Sequence, residues 1–140
     1  MRVTISHKAH FNALYTTHNP NWSAQINKEV FGEQDSPAYK GHNYNFIVRL
    51  TGEMEPRTGE VYSFAKLKRL VKDKVEERFD HKNLYLDIND FSHTVPTPPR
   101  MAMRIWEILR QEIPSTIDLH VTVEANNEQS AEFSGELVRE

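Results

Sequence analysis

The chain has 140 residues, 38% of them hydrophobic, which is enough for one buried core and indicates a single domain over 1–140. Its net charge of −3 argues against nucleic-acid binding and a basic membrane surface, and no apolar run approaches the roughly 20 residues that span a bilayer. The absence of cysteine excludes disulfides and thiolate chemistry, and the N-terminal residues lack the apolar segment of a secretory signal, so we expect a cytoplasmic protein.

The first half of the chain predicts two long strands and a short helix. Residues 2–15 alternate in character and predict one strand, or two strands joined by a bend. Ser23 suits the N-cap of a short helix over 24–31, which ends at Gly32. After a polar loop, alternation over 42–51 predicts the second strand.

The second half predicts two longer helices and two closing strands. Apolar residues recur at helical spacing in both helices, and a serine precedes the first of them. The predicted elements are helices over 64–78 and 100–111 and strands over 118–125 and 130–138. Residues 80–99 contain three prolines and are predicted to be irregular. The resulting β-β-α-α-β-β order indicates an α+β fold: a four-stranded antiparallel sheet with two helices on one face.

The start of the second strand carries side chains that suit a functional site. His42 and Tyr44 point to the same face of this strand, and Lys40 shares that face if the strand reaches back to it. Tyr15 closes the first strand. Lys40 and His42 would together form one half of a site at the start of the second strand, which other segments would complete.

Five short strings carry a family resemblance, and they follow one another over nearly the whole chain. They are Phe11-Asn12-Ala13-Leu14-Tyr15, Gly41-His42-Asn43-Tyr44, Asp80-His81-Lys82-Asn83-Leu84, Ile105-Trp106-Glu107 and Ala131-Glu132-Phe133. In this order they resemble the 6-pyruvoyl-tetrahydropterin synthase and 6-carboxytetrahydropterin synthase family. The resemblance implies the tunnelling fold and a homo-oligomer, a trimer or hexamer, in which the sheets join into a barrel.

The resemblance also implies a zinc site, which this sequence departs from. Members of the family bind zinc through three histidines, and the matching positions here are Tyr15, Lys40 and His42. A phenol keeps its proton until about pH 10, and a lysine is a cation near neutral pH. We therefore expect the zinc site to be lost and no cofactor to be required.

Other positions that the family uses also differ. A family cysteine matches Gln34, which can only form hydrogen bonds. The family's pterin-binding glutamate matches Ala125, so the neighbouring Glu124 would replace it only through a slip or bulge in the strand. Asp80 and His81 remain as a carboxylate–imidazole pair of the kind that transfers protons.

The remaining histidines are expected to be ordinary surface or strand residues. They are His7, His10, His18, His93 and His120. A rival metal site that joins His7 or His10 to His42 is conceivable, but its spacing matches no known ligand template.

Two hypotheses about function follow. In the first, the chain is a zinc-independent lyase or isomerase that acts on a small pterin-like or carbonyl substrate. Its catalytic groups would be Tyr15, Lys40, His42, Asp80 and His81, and Gln34 and Glu124 would bind the substrate. Lys40 would replace the charge of zinc or form a Schiff base.

In the second hypothesis, the chain is a non-catalytic relative that binds a small molecule or serves as an oligomeric scaffold. A conventional zinc-dependent synthase with a rearranged metal site, acting on a pterin or a queuosine precursor, is a further alternative. Because phenol and amine groups are reactive replacements for zinc ligands, the sequence favours an enzyme with a small-molecule substrate and no nucleic-acid or membrane partner.

Overall fold

The structure is a computed structural model that describes residues 1–35, 38–92 and 94–135. The elements run in the order β1 Arg2–Tyr15, α1 Ala24–Phe31, a 3₁₀ turn Gly32–Gln34, β2 Lys40–Glu53, α2 Phe64–Val71, a π-helical segment Lys72–Glu76, α3 Glu77–Phe79, α4 Pro98–Arg110, β3 Asp118–Glu124 and β4 Ser130–Phe133. None of the described helices is long and apolar enough to cross a membrane.

The four strands form one antiparallel sheet in the order β1-β2-β3-β4. Strands β1 and β2 pair over their whole length, from Arg2 opposite Glu53 to Tyr15 opposite Lys40. The chain therefore brings the last residue of β1 to the first residue of β2, at one end of the sheet. This pairing positions the site described below.

One face of the sheet is apolar and carries the helices, as the alternation predicts. Its buried residues from the three longer strands include Phe11, Phe46, Val48, Leu50, Leu119, Val121 and Val123. The helices cover them with Leu67, Val71, Met101, Ile105 and Leu109, which are fully buried. The opposite face is polar and carries, among others, Asn43, Asn45, Arg49 and Thr122. The predicted α+β fold, with helices on one face of a four-stranded sheet, is confirmed.

Two helices differ in detail from the prediction. The helix predicted over 64–78 contains the π-helical segment Lys72–Glu76. Its apolar residues Leu67, Val71, Val75 and Phe79 recur every fourth position and are all fully buried. Four-residue steps drift around a helix of 3.6 residues per turn, and a wider turn returns the stripe to the sheet.

Helix α4 begins at Pro98, two residues before the predicted start. The prediction treated the prolines as part of the loop, but proline is suited to the first helical position because it lacks the N–H that would be unsatisfied there. The Thr97 hydroxyl accepts from the Arg100 backbone N–H at 3.4 Å and caps the helix.

The strand ends also differ slightly from the predictions. β2 starts at Lys40 rather than residue 42, so Lys40 does share the face of His42. The last strand is Ser130–Phe133, so the described residues 134 and 135 of the predicted strand lie outside it. Residues 136–138 of the predicted strand lie outside the described residues, and so does His93.

Candidate functional site

Three ring side chains cluster where β1 ends and β2 begins. Tyr15, His42 and Tyr44 lie on the helix-bearing face of the sheet, and His42 is directly opposite Ala13. The centroid of the His42 ring is 4.8 Å from that of Tyr44 and 5.5 Å from that of Tyr15, in edge-to-face contacts. The small Ala13 side chain leaves space in which these rings pack. The sheet thus fixes a phenol and an imidazole side by side.

These rings form one wall of a cavity of about 480 Å³. Helix α1 contributes Val30 and Phe31, and Thr17 lines the cavity from the loop after β1. A ligand that fills this cavity would contact aromatic and aliphatic side chains on this wall. Pockets of 300–1,000 Å³ with apolar walls and a few polar groups are typical small-molecule sites.

Residues 95–98 and the turn after β3 also line the cavity. Val95 is held by the Arg100 guanidinium, which donates to its backbone carbonyl at 3.2 Å. Ala125, Asn126 and Gln129 contribute from the β3–β4 turn. The Asn126 side chain donates to Gln129 Oε1 at 3.1 Å, so the two carboxamides orient each other.

Burial favours the neutral forms of His42 and Tyr44. Partial burial lowers the pKa of His42 from its ordinary value of 6.5, because desolvation penalises the imidazolium. Burial also raises the pKa of the Tyr44 phenol, with smaller contributions from Tyr15 and Tyr85. At neutral pH the site therefore presents the neutral imidazole of His42 and the protonated phenol of Tyr44.

A buried ion-pair cluster anchors the loop that leads to the cavity residues 95–98. The Asp90 carboxylate is 1% exposed and accepts from Arg78 at 2.8 Å and from Arg104 at 2.7 Å. Burial raises the pKa of Asp90, but the hydrogen bonds from the two guanidinium groups outweigh this effect and lower the pKa overall. The cluster ties the loop to α3 through Arg78 and to α4 through Arg104.

The predicted catalytic residues do not all meet in this cavity. Tyr15 and His42 line it, whereas Lys40 is exposed and is not among the lining residues. Asp80 and His81 lie elsewhere: the Asp80 carboxylate accepts from the Asn12 backbone N–H at 2.9 Å, and the His81 side chain is 84% exposed. The two side chains are 3.4 Å apart.

Asp80 and His81 fasten the segment after α3 to the free edge of β1. The His81 backbone N–H donates to the Asn12 carbonyl at 2.6 Å, and the next contact is Leu14 N–H with the Lys82 carbonyl at 2.9 Å. His81 has a φ of 59°, a left-handed conformation that shapes this turn. These backbone contacts hold the turn against β1, while the His81 imidazole remains exposed.

Of the two predicted substrate-binding residues, Glu124 is not among the described residues that line the cavity. Glu124 is exposed and lines a shallow groove on the opposite face of the sheet together with His10 and Asn45. Its side chain stays on that face because β3 pairs with β4 without the slip or bulge that would reverse its direction. The adjacent Ala125 faces the cavity instead. The backbone of Gln34 ends the 3₁₀ turn after α1, and its side chain lies outside the described part of the structure.

Sequence reasoning missed several cavity residues. Tyr44 was placed on the correct face, two residues beyond His42, but was not proposed for the site. Thr97, Asn126 and Gln129 gave little signal, because their positions depend on the helix cap and on the turn that brings β4 back. A hydrogen-bonding turn next to the end of a core strand is a general cue that would have found the last two.

The donor groups at the sheet end do not fit a three-histidine zinc centre. Only His42 is an imidazole, Tyr15 is a phenol, and the Lys40 amine is exposed. The described residues contain no group of three or more His, Cys, Asp or Glu side chains that could hold a metal ion.

Comparisons with known proteins agree with the architecture. The family model for 6-pyruvoyl tetrahydropterin synthase matches residues 4–136. The 6-pyruvoyl tetrahydrobiopterin synthase of Homo sapiens is 30% identical over 135 residues, which are 96% of this chain and 93% of that protein. A dihydroneopterin monophosphate aldolase of Pyrococcus furiosus is 27% identical over 119 residues, 85% of each chain.

The solved structure of Caenorhabditis elegans 6-pyruvoyl tetrahydropterin synthase has the same fold. It is 33% identical, superposes with a TM-score of 0.88, and the match covers 97% of each chain. The sheet order and the helix-bearing face described above are thus those of the tunnelling fold. The chain belongs to the 6-pyruvoyl tetrahydropterin synthase family.

Proposed function

We propose that this chain binds a pterin-like heterocycle in the cavity at the end of β1 and β2 and acts on it by proton transfer. The observation that carries the proposal is the contact between the Tyr15 phenol and the His42 imidazole, whose ring centroids are 5.5 Å apart on one cavity wall. Membership of a family whose named relatives include pterin synthases and a dihydroneopterin aldolase supports the substrate class.

The two groups suit an acid and a base that act on one ligand. Because burial lowers its pKa, His42 is neutral at physiological pH and can accept a proton. The Tyr15 hydroxyl can donate one or stabilise a developing oxyanion. Tyr44 contacts both rings and restricts their orientation. A lyase or isomerase needs such a pair to move a proton at a carbon next to a carbonyl or an imine.

The proposed reaction does not depend on zinc. A catalytic zinc site needs about three protein ligands with an open fourth position, and the residues at this sheet end supply one imidazole. The phenol–imidazole pair would provide proton transfer, while the hydrogen bonds of the cavity would orient the substrate. The expected rate contribution of such a pair is about 10²–10⁴-fold.

The position of Lys40 favours a second candidate function, a non-catalytic binding protein. A Schiff-base lysine is normally desolvated so that its amine is neutral near pH 7. Lys40 is exposed and lies outside the cavity lining. The Lys40 mechanism therefore has no support from the geometry of the chain, and binding without turnover would be the consequence if Tyr15 and His42 also prove dispensable.

The experiment combines metal analysis, ligand binding and turnover on the purified chain. After dialysis against a chelator, we expect dihydroneopterin to bind, with turnover retained in the wild type and reduced in Tyr15→Phe and His42→Asn. Lys40→Ala is included for comparison, because a mechanism that uses Lys40 requires this variant to be inactive. Binding with no turnover would support the second candidate, whereas stoichiometric zinc bonded to His42 and needed for activity would overturn the proposal.

We further propose that the chain works as a homo-oligomer, a trimer or hexamer. Within the described residues, no strand pairs with the outer edge of β1 between residues 2 and 10, and β4 is the other sheet edge. Exposed edges are normally covered, and edge-to-edge pairing of copies would cover both. Light scattering coupled to size-exclusion chromatography measures the mass, and a monomer at micromolar concentration would contradict this proposal.

A further inference from the structure

Helix α1 is held in the chain by a polar residue rather than by an apolar stripe. Of its residues Ala24–Phe31, only Asn27 is fully buried, and Phe31 is half-buried. The apolar side chains of Ile26 and Val30 are 45% and 57% exposed in the chain. A helix of only eight residues is marginal in water unless packing supports it. The placement of α1 therefore depends on the contacts that Asn27 makes.

The carboxamide of Asn27 binds the backbone of the loop before the helix. Its Oδ1 accepts from the Asn19 backbone N–H at 2.8 Å, and its Nδ2 donates to the Asn19 carbonyl at 3.0 Å. The same nitrogen donates to the Ser23 carbonyl at 3.0 Å and, more weakly, to the Trp22 carbonyl at 3.4 Å. These contacts use the oxygen and both hydrogens of the amide. One buried side chain thus fixes the loop 19–23 to the helix that follows it.

The loop and the helix both lead to the cavity. Thr17 lies two residues before the anchored loop, Val30 and Phe31 end α1, and all three line the cavity. The Trp22 ring stacks on the Phe31 ring, with 6.0 Å between the centroids and an interplanar angle of 20°. A shift of the loop would therefore move a ring that supports the cavity wall.

We infer that Asn27 is a positioning residue, whose carboxamide holds α1 and the preceding loop in the place where they line the cavity. The inference rests on the proposed function, since it concerns the same site, and it gives Asn27 no contact with the ligand. Its physical basis is that the backbone groups of Asn19 and Ser23 would lose this buried partner in a variant without the carboxamide. Such a loss favours local opening of the segment that the hydrogen bonds hold.

Two tryptophan–phenylalanine contacts allow a measurement that needs no ligand. Trp22 contacts Phe31, and Trp106 contacts Phe133 with 5.2 Å between the ring centroids. Nuclear Overhauser spectra of the full chain report both contacts. We expect Asn27→Ala to lose the first contact and to keep the second. If both contacts persist, Asn27 does not hold this segment and the inference is wrong.

Asn27→Asp separates hydrogen bonding from side-chain volume. It keeps the size of the side chain and the acceptor for the Asn19 N–H, but at neutral pH it turns a second acceptor toward the Asn19 and Ser23 carbonyls. We expect this variant also to lose the Trp22–Phe31 contact, and it decides the inference if Asn27→Ala does not fold. Retention of the contact would show that the hydrogen bonds do not position α1. Loss of both ring contacts in both variants would show that Asn27 supports the whole fold, which would equally overturn the inference.

Ligand affinity tests whether the placement of α1 matters to the site. Calorimetry with dihydroneopterin at one fixed pH should show binding to Asn27→Ala weakened at least about fivefold, because only molecules with α1 in place would bind. The destabilised control is Gly135→Ala, whose added Cβ would lie 2.7 Å from the Trp106 ring; neither residue is among the described residues that line the cavity. We expect this control to bind as the wild type does.

Unchanged affinity in Asn27→Ala, or an equal loss in Gly135→Ala, would overturn the inference and leave the proposed function intact. If dihydroneopterin does not bind the wild type, the proposed function fails, and the ring contacts alone then decide whether Asn27 holds α1 in place.

Discussion

The Tyr15 ring lies edge-on to the His42 ring, with 5.5 Å between the centroids and an interplanar angle of 67°, although the two residues are not cross-strand partners. Tyr15 is opposite Lys40, and His42 is opposite Ala13. The contact is therefore diagonal, a geometry that aromatic side chains can span in an antiparallel sheet. It brings together a proton donor and a proton acceptor at the edge of a cavity.

Removing the Tyr15 hydroxyl should strongly reduce turnover while sparing binding. Tyr15→Phe keeps the ring and its contacts with His42 and Tyr44 but cannot donate or hold a proton. We expect the turnover rate to fall by about 10²-fold or more, with ligand affinity changed by only a few fold. Steady-state and calorimetric measurements separate the two effects. The matched control is Tyr39→Phe, which removes a hydroxyl from an exposed tyrosine outside the cavity lining.

The pH dependence of stability should report the burial of His42. Burial lowers its pKa in the folded state below 6.5, so the unfolded chain binds this proton more readily. His42 therefore costs no stability above pH 6.5, and its effect becomes destabilising as the pH falls from 6.5 through the lower folded pKa. We expect wild type to lose more unfolding free energy between pH 7.5 and 5 than His42→Gln does. Parallel curves from urea denaturation would contradict this, as would a His42 pKa above 6.5 by NMR.

Most of the fold could be predicted because its signals are local. Alternation gave β1 to its final residue, and Ser23 and Gly32 gave both ends of α1, since the serine caps the helix at 3.1 Å and the glycine adopts a φ of 56°. The start of α4 was harder to predict, because Pro98 and Pro99 indicate a loop or a first helical turn equally well. Neighbouring structure decides between the two.

The candidate site was only partly predictable because it joins distant segments. The family resemblance placed Tyr15 and His42 in one site, and the cavity includes both. Strand parity placed Lys40 on the face of His42, but β2 begins at Lys40 and the side chain is exposed to solvent. Asp80 and His81 carry chemistry in their residue types, yet they lie on the edge of β1, a position that no local pattern indicates.

Replacement of Gly135 should be more destabilising than replacement of Gly59. Both glycines have positive φ, 87° and 73°, so alanine would strain the backbone at either position by about 1 kcal/mol. At Gly135 the added Cβ would also lie 2.7 Å from an atom of the Trp106 ring, whereas nothing lies within 4 Å at Gly59. The Trp106 ring cannot move freely, since its Nε1 donates to the Leu119 carbonyl at 2.9 Å.

We therefore expect Gly135→Ala to lose about 2 kcal/mol or more of unfolding free energy and Gly59→Ala to lose about 1 kcal/mol. Urea denaturation monitored by tryptophan fluorescence measures both values and reports on the Trp106 environment. Equal losses in the two variants would show that the Trp106 contact is relieved without cost.

The Asp90 cluster should contribute more to stability than a surface ion pair of similar length. Asp90 is 1% exposed and joins Arg78 and Arg104, so removal of its carboxylate leaves two guanidinium groups without their anion. Both arginines retain some access to water, which limits the cost. We expect Asp90→Ala to reduce the unfolding free energy by about 2–3 kcal/mol. The matched variant is Asp118→Ala, which breaks the exposed pair with Arg2 at 2.7 Å and should cost about 0–1 kcal/mol.

The same variant tests whether the cluster positions the cavity wall. Residues 95–98 follow Asp90 closely in the chain, and they are also attached to α4 by the Arg100 contact with the Val95 carbonyl and by the Thr97 cap. Loosening the loop should therefore weaken ligand binding in Asp90→Ala, and Asp118→Ala should bind as the wild type does. Asp90→Glu keeps the charge and should restore part of the lost affinity. If Asp90→Ala loses stability but binds ligand with unchanged affinity, the cluster supports the fold without shaping the cavity.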